Sequence, residues 1–389
     1  MIRKIKKLVI VIISLLIITS ILIFVTGNEY IFKAAKLTYL QGNVTANIDD
    51  YKDFDVRIIK NGTPQLWQYH KNYNKRPLTN ILKNKLQELQ SAGFLIVKDG
   101  KIITEKYFNK YTDSSLTNSF SVAKTFVTML LGKAIEEGYI KSLQQPITDF
   151  LQEYQNDSLA KTCTIGDLSA MTSGLNWNES YYLPLNETAK SYYGEHLKKQ
   201  MFATNFNSVS GKKFEYKSAN TILLGIIIAR ATKKTLSDYL SEKFWKPLGM
   251  ESPSPWYLDH KNGIEKTSCC VAARLRDFAK MGQLLLQKGN WNGNQLLDST
   301  FIKTMTHPNA LNGKIKNPIY GYGVWTDYNN KPPIYAMVGH LGQRVICIPS
   351  KKMVIVRTGN ISEKKNTTNK IPGTETYVWV EEALKMTEN

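Results

Sequence analysis

The chain has 389 residues, of which 42% are hydrophobic and 21% are charged. These fractions are ordinary for a globular protein and exclude general disorder. The formal net charge is +19, and most of the excess is lysine. Neither arginine-rich patches nor a known binding module is present, so we do not expect nucleic acid as a partner. A lysine-biased composition explains the charge most simply, and work near an anionic membrane or cell wall is the alternative.

The N-terminus carries a basic flank followed by a long apolar run. Four basic residues precede an uncharged stretch from residue 8 to about residue 26. At ~1.5 Å per residue, a helix of this length can cross the ~30 Å hydrocarbon core of a bilayer. The positive flank should stay in the cytoplasm, which places the rest of the chain on the periplasmic or extracellular side.

We therefore predict an uncleaved signal-anchor over residues 1–27, through which the protein contacts the membrane. The alternative is a cleaved secretory signal and a secreted protein, but residues 23–27 show no Ala-x-Ala cleavage pattern. Residues 28–77 mix aromatic, charged and turn residues. We interpret them as a membrane-proximal segment that packs on a main domain formed by residues 78–389.

The main domain begins with a predicted helix and a predicted β-hairpin. Residues 78–90 show helical spacing of apolar residues, with Thr79 as a possible N-cap. Two β-rich runs, 94–98 and 101–104, are joined by Asp99-Gly100. This Asp-Gly pair is the strongest hairpin signal in the chain.

The next predicted helix begins at Ser121-Val122-Ala123-Lys124. Apolar residues then recur with the spacing of one buried face, and Gly138 is a plausible stop. Ser121 falls in the first turn, where free N–H groups and the positive end of the helix dipole point. Lys124 lies one turn along the same face, so its amine can reach the Ser121 hydroxyl. These groups at a buried helix start are the parts of an acyl-transfer site.

The Ser-x-x-Lys pattern alone is not specific in a lysine-rich chain, because it recurs at 158–161, 210–213 and 362–365. The copy at Ser121 is selected because it leads into a strongly apolar helix that must be buried. Lys124 can act as a base only when neutral, and burial and the adjacent helix N-terminus both lower a lysine pKa. The Gly-x-Ser-x-Gly elbow that accompanies a histidine base is absent from the sequence.

The remainder of the chain predicts an α+β fold. Residues from about 143 to 300 are mostly helical with long loops, and the residues after 300 return to strand character. We expect the hairpin and the late strands to form one antiparallel sheet flanked by helices, with the helical subdomain inserted and one transmembrane helix in front. The predicted helices include 220–231, 272–287 and 376–386, and the predicted late strands are 320–325, 334–340, 344–348 and 353–357.

The cysteines and histidines show no metal-ligand spacing, so we expect no metal ion. Cys163, Cys269, Cys270 and Cys347 are predicted to be buried thiols. Cys269 and Cys270 are adjacent and would pair with each other only under strain. An outer-side location would permit a disulfide, but the sequence does not indicate its partners.

Several motifs, taken together and in order, resemble one family. They are Ser121-Val122-Ala123-Lys124, Thr172-Ser173-Gly174-Leu175, Phe214-x-Tyr216-x-Ser218-Ala219-Asn220 and Gly339-His340-Leu341-Gly342-Gln343. From about residue 90 to residue 360 the chain resembles the serine β-lactamase and penicillin-recognising hydrolase superfamily, with a β-lactamase/transpeptidase-like fold. The resemblance is closest to the class C-like branch that contains esterases and 6-aminohexanoate-dimer hydrolases.

The resemblance implies that Ser121 is the acylated nucleophile and that Lys124 and Tyr216 share the proton transfers. Which of these two residues is the base stays open. The backbone N–H groups of Ser121 and Gln343 would form the oxyanion hole, with Gly342 and His340 in the same strand motif. No cofactor is implied.

Two departures from the family pattern bear on the substrate. Ser218 stands where β-lactamases usually have asparagine. His340-Leu341-Gly342 replaces the usual Lys-Thr-Gly, and leucine cannot donate a hydrogen bond to a β-lactam carboxylate. His340 either assists electrostatically or fixes the strand. We therefore expect inefficient β-lactam hydrolysis.

The sequence thus predicts a membrane-anchored, outward-facing serine hydrolase that cleaves a small-molecule ester, amide or peptide through an acyl-enzyme. One alternative is a cell-wall D,D-peptidase or penicillin-binding-type protein, and another is a non-catalytic binding protein on the same fold. The candidates for lining the substrate mouth are Trp177, Glu179, Tyr181, Tyr182 and Ser218.

Overall fold

A computed structural model gives the structure of residues 2–311, 314–317, 319–363 and 370–387. The helices are α1 (Ile2–Val25), α2 (Tyr30–Leu37), α3 (Asn80–Glu88), α4 (Ala123–Glu136), α5 (Ile165–Ser169), α6 (Glu187–Tyr193), α7 (Leu197–Phe202), α8 (Ser218–Thr232), α9 (Leu236–Leu240), α10 (Leu275–Leu286), α11 (Ser299–Thr306) and α12 (Glu375–Thr387). The strands are β1 (Val56–Ile59), β2 (Gln68–Tyr69), β3 (Ser91–Lys98), β4 (Lys101–Tyr107), β5 (Thr117–Asn118), β6 (Ser254–Tyr257), β7 (Ala272–Ala273), β8 (Asn290–Trp291), β9 (Asn294–Gln295), β10 (Asn309–Leu311), β11 (Lys314–Asn317), β12 (Trp325–Asp327), β13 (Ile334–Gly339), β14 (Gln343–Ile348) and β15 (Met353–Gly359).

A seven-stranded sheet with the order β12-β13-β14-β15-β3-β4-β2 forms the centre of the domain. The neighbouring strands are antiparallel, except that β2 runs parallel to β4. The early hairpin joins the late strands where β15 pairs with β3, with Ile355 opposite Ile96. The predicted α+β class, with one sheet built from both ends of the domain, is confirmed.

The sheet is buried on both faces because successive side chains of a strand point to opposite sides. Val354 and Val356 belong to the core on the face covered by α10, where Gly282 packs closely against Val354. Met353 and Ile355 belong to the core on the other face, which is covered by α3 and α12. One face of the sheet therefore packs against the helical half of the domain.

The hairpin between β3 and β4 follows its sequence signal. Asp99 and Gly100 separate the two strands and have φ values of 47° and 74°. Positive φ at both central residues is the requirement of a type I′ turn, which Asp-Gly meets. The hairpin prediction is confirmed, and Thr79 caps α3 by accepting the N–H of Leu82, as predicted.

Helices α4 and α8 form the centre of the helical half and pack against each other. α4 follows a 3-10 turn at Phe120–Val122 and ends just before Gly138, whose φ is 75°. α8 is buried along most of its length, because its apolar residues surround the helix. The packing brings the N-terminal ends of the two helices together, which positions the serines that begin them.

The N-terminal part of the chain begins with a helix that could span a membrane. α1 has 24 residues, most of them apolar and none of them buried, and it is the one candidate span among the described residues. The membrane-proximal segment (residues 28–77) then packs on the main domain. β1 pairs with β6, β2 joins the edge of the central sheet, and Asn118 N donates to Ile48 O.

Three predictions were wrong in detail. The strand predicted over 320–325 is a turn up to residue 324, in which Gly323 packs so closely that a Cβ would lie 2.1 Å from Thr128 Oγ1. The helix predicted over 272–287 starts later, because Ala272–Ala273 forms β7 against β5. Cys269 and Cys270 are joined as a disulfide rather than being thiols, whereas Cys163 and Cys347 are free and buried.

Candidate active site

Ser121 and Lys124 meet at the start of α4. Lys124 Nζ donates to Ser121 Oγ over 2.8 Å and to the Ser268 carbonyl over 2.8 Å. The lysine is only 2% exposed. Burial lowers the pKa of Lys124 to about 8, although the carboxylate of Glu179 raises it. A substantial fraction of the amine is therefore neutral at mildly alkaline pH, which a general base requires.

Tyr216 lies against the same serine. Its hydroxyl lies near the side chains of Ser121 and Trp325. Lys124 Nζ is 5.1 Å from the centre of the Tyr216 ring, and the Trp325 ring centre is 5.2 Å from it. Burial raises the pKa of Tyr216, which keeps the phenol protonated at neutral pH. The raised pKa of Tyr216 suits a proton donor, and the lowered pKa of Lys124 suits a proton acceptor.

The backbone before Ser121 is bent to present the hydroxyl. Phe120 has a φ of 44°, a conformation that costs about 1–3 kcal/mol in a residue with a side chain. Asn118 Oδ1 accepts the N–H of Phe120 at 2.9 Å. Ser119 bonds Val271 twice, through its N–H and through its hydroxyl. These bonds hold the bend against β5 and β7, so that Ser121 is fixed before a substrate arrives.

A carboxylate links the mouth loop (residues 176–186) to the lysine. Glu179 accepts the indole N–H of Trp177 at 2.9 Å and the hydroxyl of Tyr181 at 2.6 Å. It also accepts both the N–H and the hydroxyl of Ser218, each at 2.7 Å. Ser218 Oγ in turn accepts from Lys124 Nζ at 3.3 Å. Four of the five predicted mouth residues therefore form one network with Lys124, a connection that the sequence did not indicate, whereas Tyr182 packs against the His340 ring.

His340 lies beside Ser121 and is surrounded by aromatic rings. Burial, together with the cation of Arg344, lowers the pKa of His340 to about 4. The imidazole is therefore neutral at pH 7 and offers no positive charge to a substrate. Its Nε2 is 3.2 Å from Thr45 Oγ1. Three rings surround it with centres 5.1 to 5.9 Å away, those of Phe120, Tyr181 and Tyr182.

The position of Gln343 disagrees with the oxyanion role that the resemblance implied. Its N–H donates to the carbonyl of His340 and closes a 3-10 turn over His340–Gly342. Its side-chain amide is buried and bonds both the N–H and the carbonyl of Gly359. A donor that is already used in a turn is not free for an oxyanion. Gly342 belongs to the same turn, with a φ of 82°.

The end of β13, rather than the start of β14, approaches the serine. A Cβ on Gly339 would lie 2.4 Å from the Ser119 carbonyl, so only glycine allows this approach. Val338, Gly339 and His340 line the same cavity as Ser121. The residues of the strand motif that lie at the site are therefore Gly339 and His340, which precede Gln343 by four and three residues.

The other Ser-x-x-Lys copies have different surroundings. Ser210 Oγ donates to the Ser173 carbonyl, and Lys213 is an exposed residue paired with Glu215. Ser158 and Lys161 are exposed on the surface. The copy at 362–365 ends outside the described residues. Burial of the helix after Ser121 was the feature that separated it from these copies.

Two cavities meet at Ser121. The larger cavity, about 540 Å³, is lined among others by Glu179, Tyr216 and Arg344. The smaller cavity, about 70 Å³, is lined among others by Phe120 and Tyr192. A substrate bound at the serine can therefore extend in two directions.

The α+β fold, the buried Lys124 and the half-buried Ser121 and Tyr216 beside it indicate a protein of the serine hydrolase class. The family model described as Beta-lactamase matches residues 78–371. The chain therefore belongs to the β-lactamase family, whose members on this fold are serine hydrolases. The resemblance drawn from the sequence motifs is confirmed.

Known relatives agree with this assignment. The 6-aminohexanoate-dimer hydrolase of Paenarthrobacter ureafaciens is 23% identical over 234 residues, which cover 58% of this chain and 59% of that enzyme. The chain thus aligns with about three fifths of the length of this relative.

Solved structures share the fold. A Bacillus anthracis protein named after 6-aminohexanoate-dimer hydrolase superposes with a TM-score of 0.73 at 23% identity, over 86% of this chain and 90% of that one. A class C β-lactamase superposes with a TM-score of 0.58 at 16% identity, over 83% of this chain and 99% of that one. At these identities the superpositions establish the fold alone.

Proposed function

We propose that the protein is a serine hydrolase that cleaves an ester or amide of a small molecule through an acyl-enzyme on Ser121. The observation that carries the proposal is the 2.8 Å hydrogen bond between Ser121 Oγ and Nζ of the buried Lys124, whose pKa is lowered to about 8. Membership of a family of serine hydrolases supports it.

In the first half of the reaction, neutral Lys124 takes the hydroxyl proton of Ser121 as Oγ attacks the carbonyl carbon. The protonated amine then returns a proton through Tyr216, which donates its own proton to the departing oxygen or nitrogen. The bond to the leaving group breaks, and the acyl group stays on Oγ. Water completes the cycle by the reverse transfers. The lowered pKa of Lys124 and the raised pKa of Tyr216 favour the lysine as base.

The negative charge on the carbonyl oxygen needs N–H donors. We assign the N–H of Ser121 and, in place of Gln343, the N–H of His340. His340 is the first residue of the 3-10 turn after β13, and N–H groups at the start of a helical turn have no partner within it. It lines the larger cavity together with Ser121. Gly339, which precedes it, provides the close approach to the serine backbone.

We further propose that α1 anchors the protein in the membrane, with the catalytic domain on the outer side. Its length and uncharged apolar run support this proposal. The measurement is fractionation of cells, in which we expect the full-length chain in the membrane fraction. A soluble product that lacks its N-terminus would instead indicate a cleaved signal.

The nucleophile can be tested with a fluorophosphonate probe and mass spectrometry of the labelled peptide. We expect one label on Ser121, about 100-fold slower labelling in Tyr216→Phe through loss of a proton-transfer group, and none in Ser121→Ala. Ser210→Ala, in another Ser-x-x-Lys copy, is the matched control and should label normally. Label that survives Ser121→Ala would mean that another residue is the nucleophile, and a folded protein that is never labelled would support a non-catalytic role instead.

A further inference from the structure

The two cavities at Ser121 offer different groups to a substrate. Tyr216 lines the larger cavity but is not among the described residues that line the smaller one. Tyr216 is the proposed proton donor to the leaving group, so the leaving group must extend into the larger cavity. The acyl group, on the other side of the carbonyl carbon, then extends into the smaller cavity.

The smaller cavity suits a short, uncharged chain. The described residues that line it include no lysine, arginine, aspartate or glutamate. One water-sized group needs ~10–15 Å³ of such space, and a methyl or methylene group is larger, so about 70 Å³ holds roughly four such carbon groups. The space therefore corresponds to an acyl chain of about four carbons. The walls are formed mainly by aromatic rings and small side chains, among them Phe120, Tyr192, Tyr193, Ala189 and Ala46.

Part of this wall comes from residues that precede the region matched by the family model. Thr45 and Ala46 line the cavity, whereas the family match begins at residue 78. Ala46 is 8% exposed and belongs to one buried cluster with Phe120 and Leu341. Thr45 Oγ1 contacts His340 Nε2 at 3.2 Å and donates to the Tyr181 carbonyl at 3.3 Å.

The membrane-proximal segment is fastened to the strand that leads to the nucleophile. The Ile48 carbonyl accepts the N–H of Asn118 at 2.8 Å. Tyr192 OH donates to Asp50 Oδ2 at 2.9 Å and accepts from Asn118 Nδ2 at 3.1 Å. Because Asn118 is three residues before Ser121, these bonds fix the distance between Ala46 and the serine.

We propose that Thr45 and Ala46 of the membrane-proximal segment form a wall of the acyl pocket and limit the acyl group to a short, uncharged chain of about four carbons or fewer. This inference rests on the proposed function and specifies its substrate class. It makes the two residues determinants of specificity that precede the region matched by the family model.

The wild-type protein provides the first test, with p-nitrophenyl acetate, propionate, butyrate, hexanoate and octanoate as substrates. We expect kcat/KM to fall at least tenfold between butyrate and hexanoate. A profile that is flat or that rises to octanoate overturns the pocket assignment. Failure to cleave any ester, together with no probe label on Ser121, overturns the proposed function itself.

The second test fills the cavity. Ala46→Leu should lower the butyrate-to-acetate ratio of kcat/KM at least tenfold, because its larger side chain occupies the acyl pocket. Val44→Leu is the matched control, since Val44 is 69% exposed and does not line the smaller cavity. Thermal unfolding confirms folding, and Ala46→Val replaces Ala46→Leu if the latter does not fold. An unchanged ratio in the folded variant overturns the proposal.

Discussion

Lys124 and Lys266 are both buried, with exposures of 2% and 1%, yet their surroundings differ. Burial lowers the pKa of Lys124 to about 8 and that of Lys266 to about 7. Lys124 Nζ contacts the hydroxyls of Ser121 and Ser218. Among the described residues, Lys266 Nζ has no hydroxyl partner. Both amines have the lowered pKa that a general base needs, but among the described contacts only that of Lys124 also has a hydroxyl beside it.

The contacts of Lys266 indicate a structural role. Its Nζ donates to the carbonyls of Ser191 and Gly194, each at 2.9 Å. These carbonyls lie at the C-terminal end of α6, where the helix leaves acceptors without intrahelical partners. A lysine is a favourable partner there. Because α6 also carries Tyr192 and Tyr193, Lys266 supports the wall of the smaller cavity from behind.

Removal of Lys124 should have the largest effect. Lys124→Met should slow acylation of Ser121 by about 1,000-fold, or about 4 kcal/mol in the activation barrier, because no base remains beside the hydroxyl. The measurement is the rate of labelling by the fluorophosphonate probe, with circular dichroism as the check on folding. Labelling at the wild-type rate would remove Lys124 from the mechanism.

The matched variant Lys266→Met should affect stability rather than rate. It leaves two buried carbonyls without a donor, at a cost of about 1–3 kcal/mol each, so we expect the melting temperature to fall by several degrees. Acylation below the melting transition should stay within a few-fold of wild type. A 1,000-fold loss of rate in this folded variant would contradict the distinction between the two lysines.

The smallest expected effect is a shift in the pH dependence of kcat/KM. Lys124 is active when deprotonated, so kcat/KM should rise with pH through about 8. Glu179 raises the pKa of Lys124, and Glu179→Gln should therefore move this limb to lower pH. Glu215→Gln is the control, because Glu215 pairs with Lys213 and Lys217 instead. A limb that moves upwards in Glu179→Gln, or moves equally in both variants, would contradict the assigned linkage.

The parts of the fold that follow from local patterns could be predicted from the sequence. The α4 helix, the Asp99-Gly100 hairpin and the Thr79 cap each depend on residues close together in the chain. The predicted strand at 320–325 failed for the opposite reason. Its apolar and aromatic residues are buried by packing in a glycine-rich turn, and burial of a short segment does not distinguish a strand from a turn.

The candidate site, like the fold, contains parts that local sequence patterns predict and parts that depend on tertiary packing. The contact between Ser121 and Lys124 could be predicted because helical spacing and burial are local signals, and the proximity of Tyr216 follows from the family motif. The contact of Glu179 with Ser218 could not be predicted, because it depends on the mouth loop reaching Ser218. The position of Gln343 depends on a turn that takes up its N–H. Ala46 reaches the serine only through tertiary packing of a segment with no motif.

Helix α6 connects the active site to the end of α1. Lys190 Nζ, on α6, donates to the Gly27 carbonyl at 3.0 Å, and Tyr30 OH donates to the carbonyl of Pro184 at 2.9 Å, just before α6. With α1 in a bilayer, as proposed, these bonds would fix the distance between the catalytic domain and the lipid surface. A flexible linker would leave this distance variable. Ser121 would then work within a thin layer at the membrane surface, and only substrates that enter this layer would meet it.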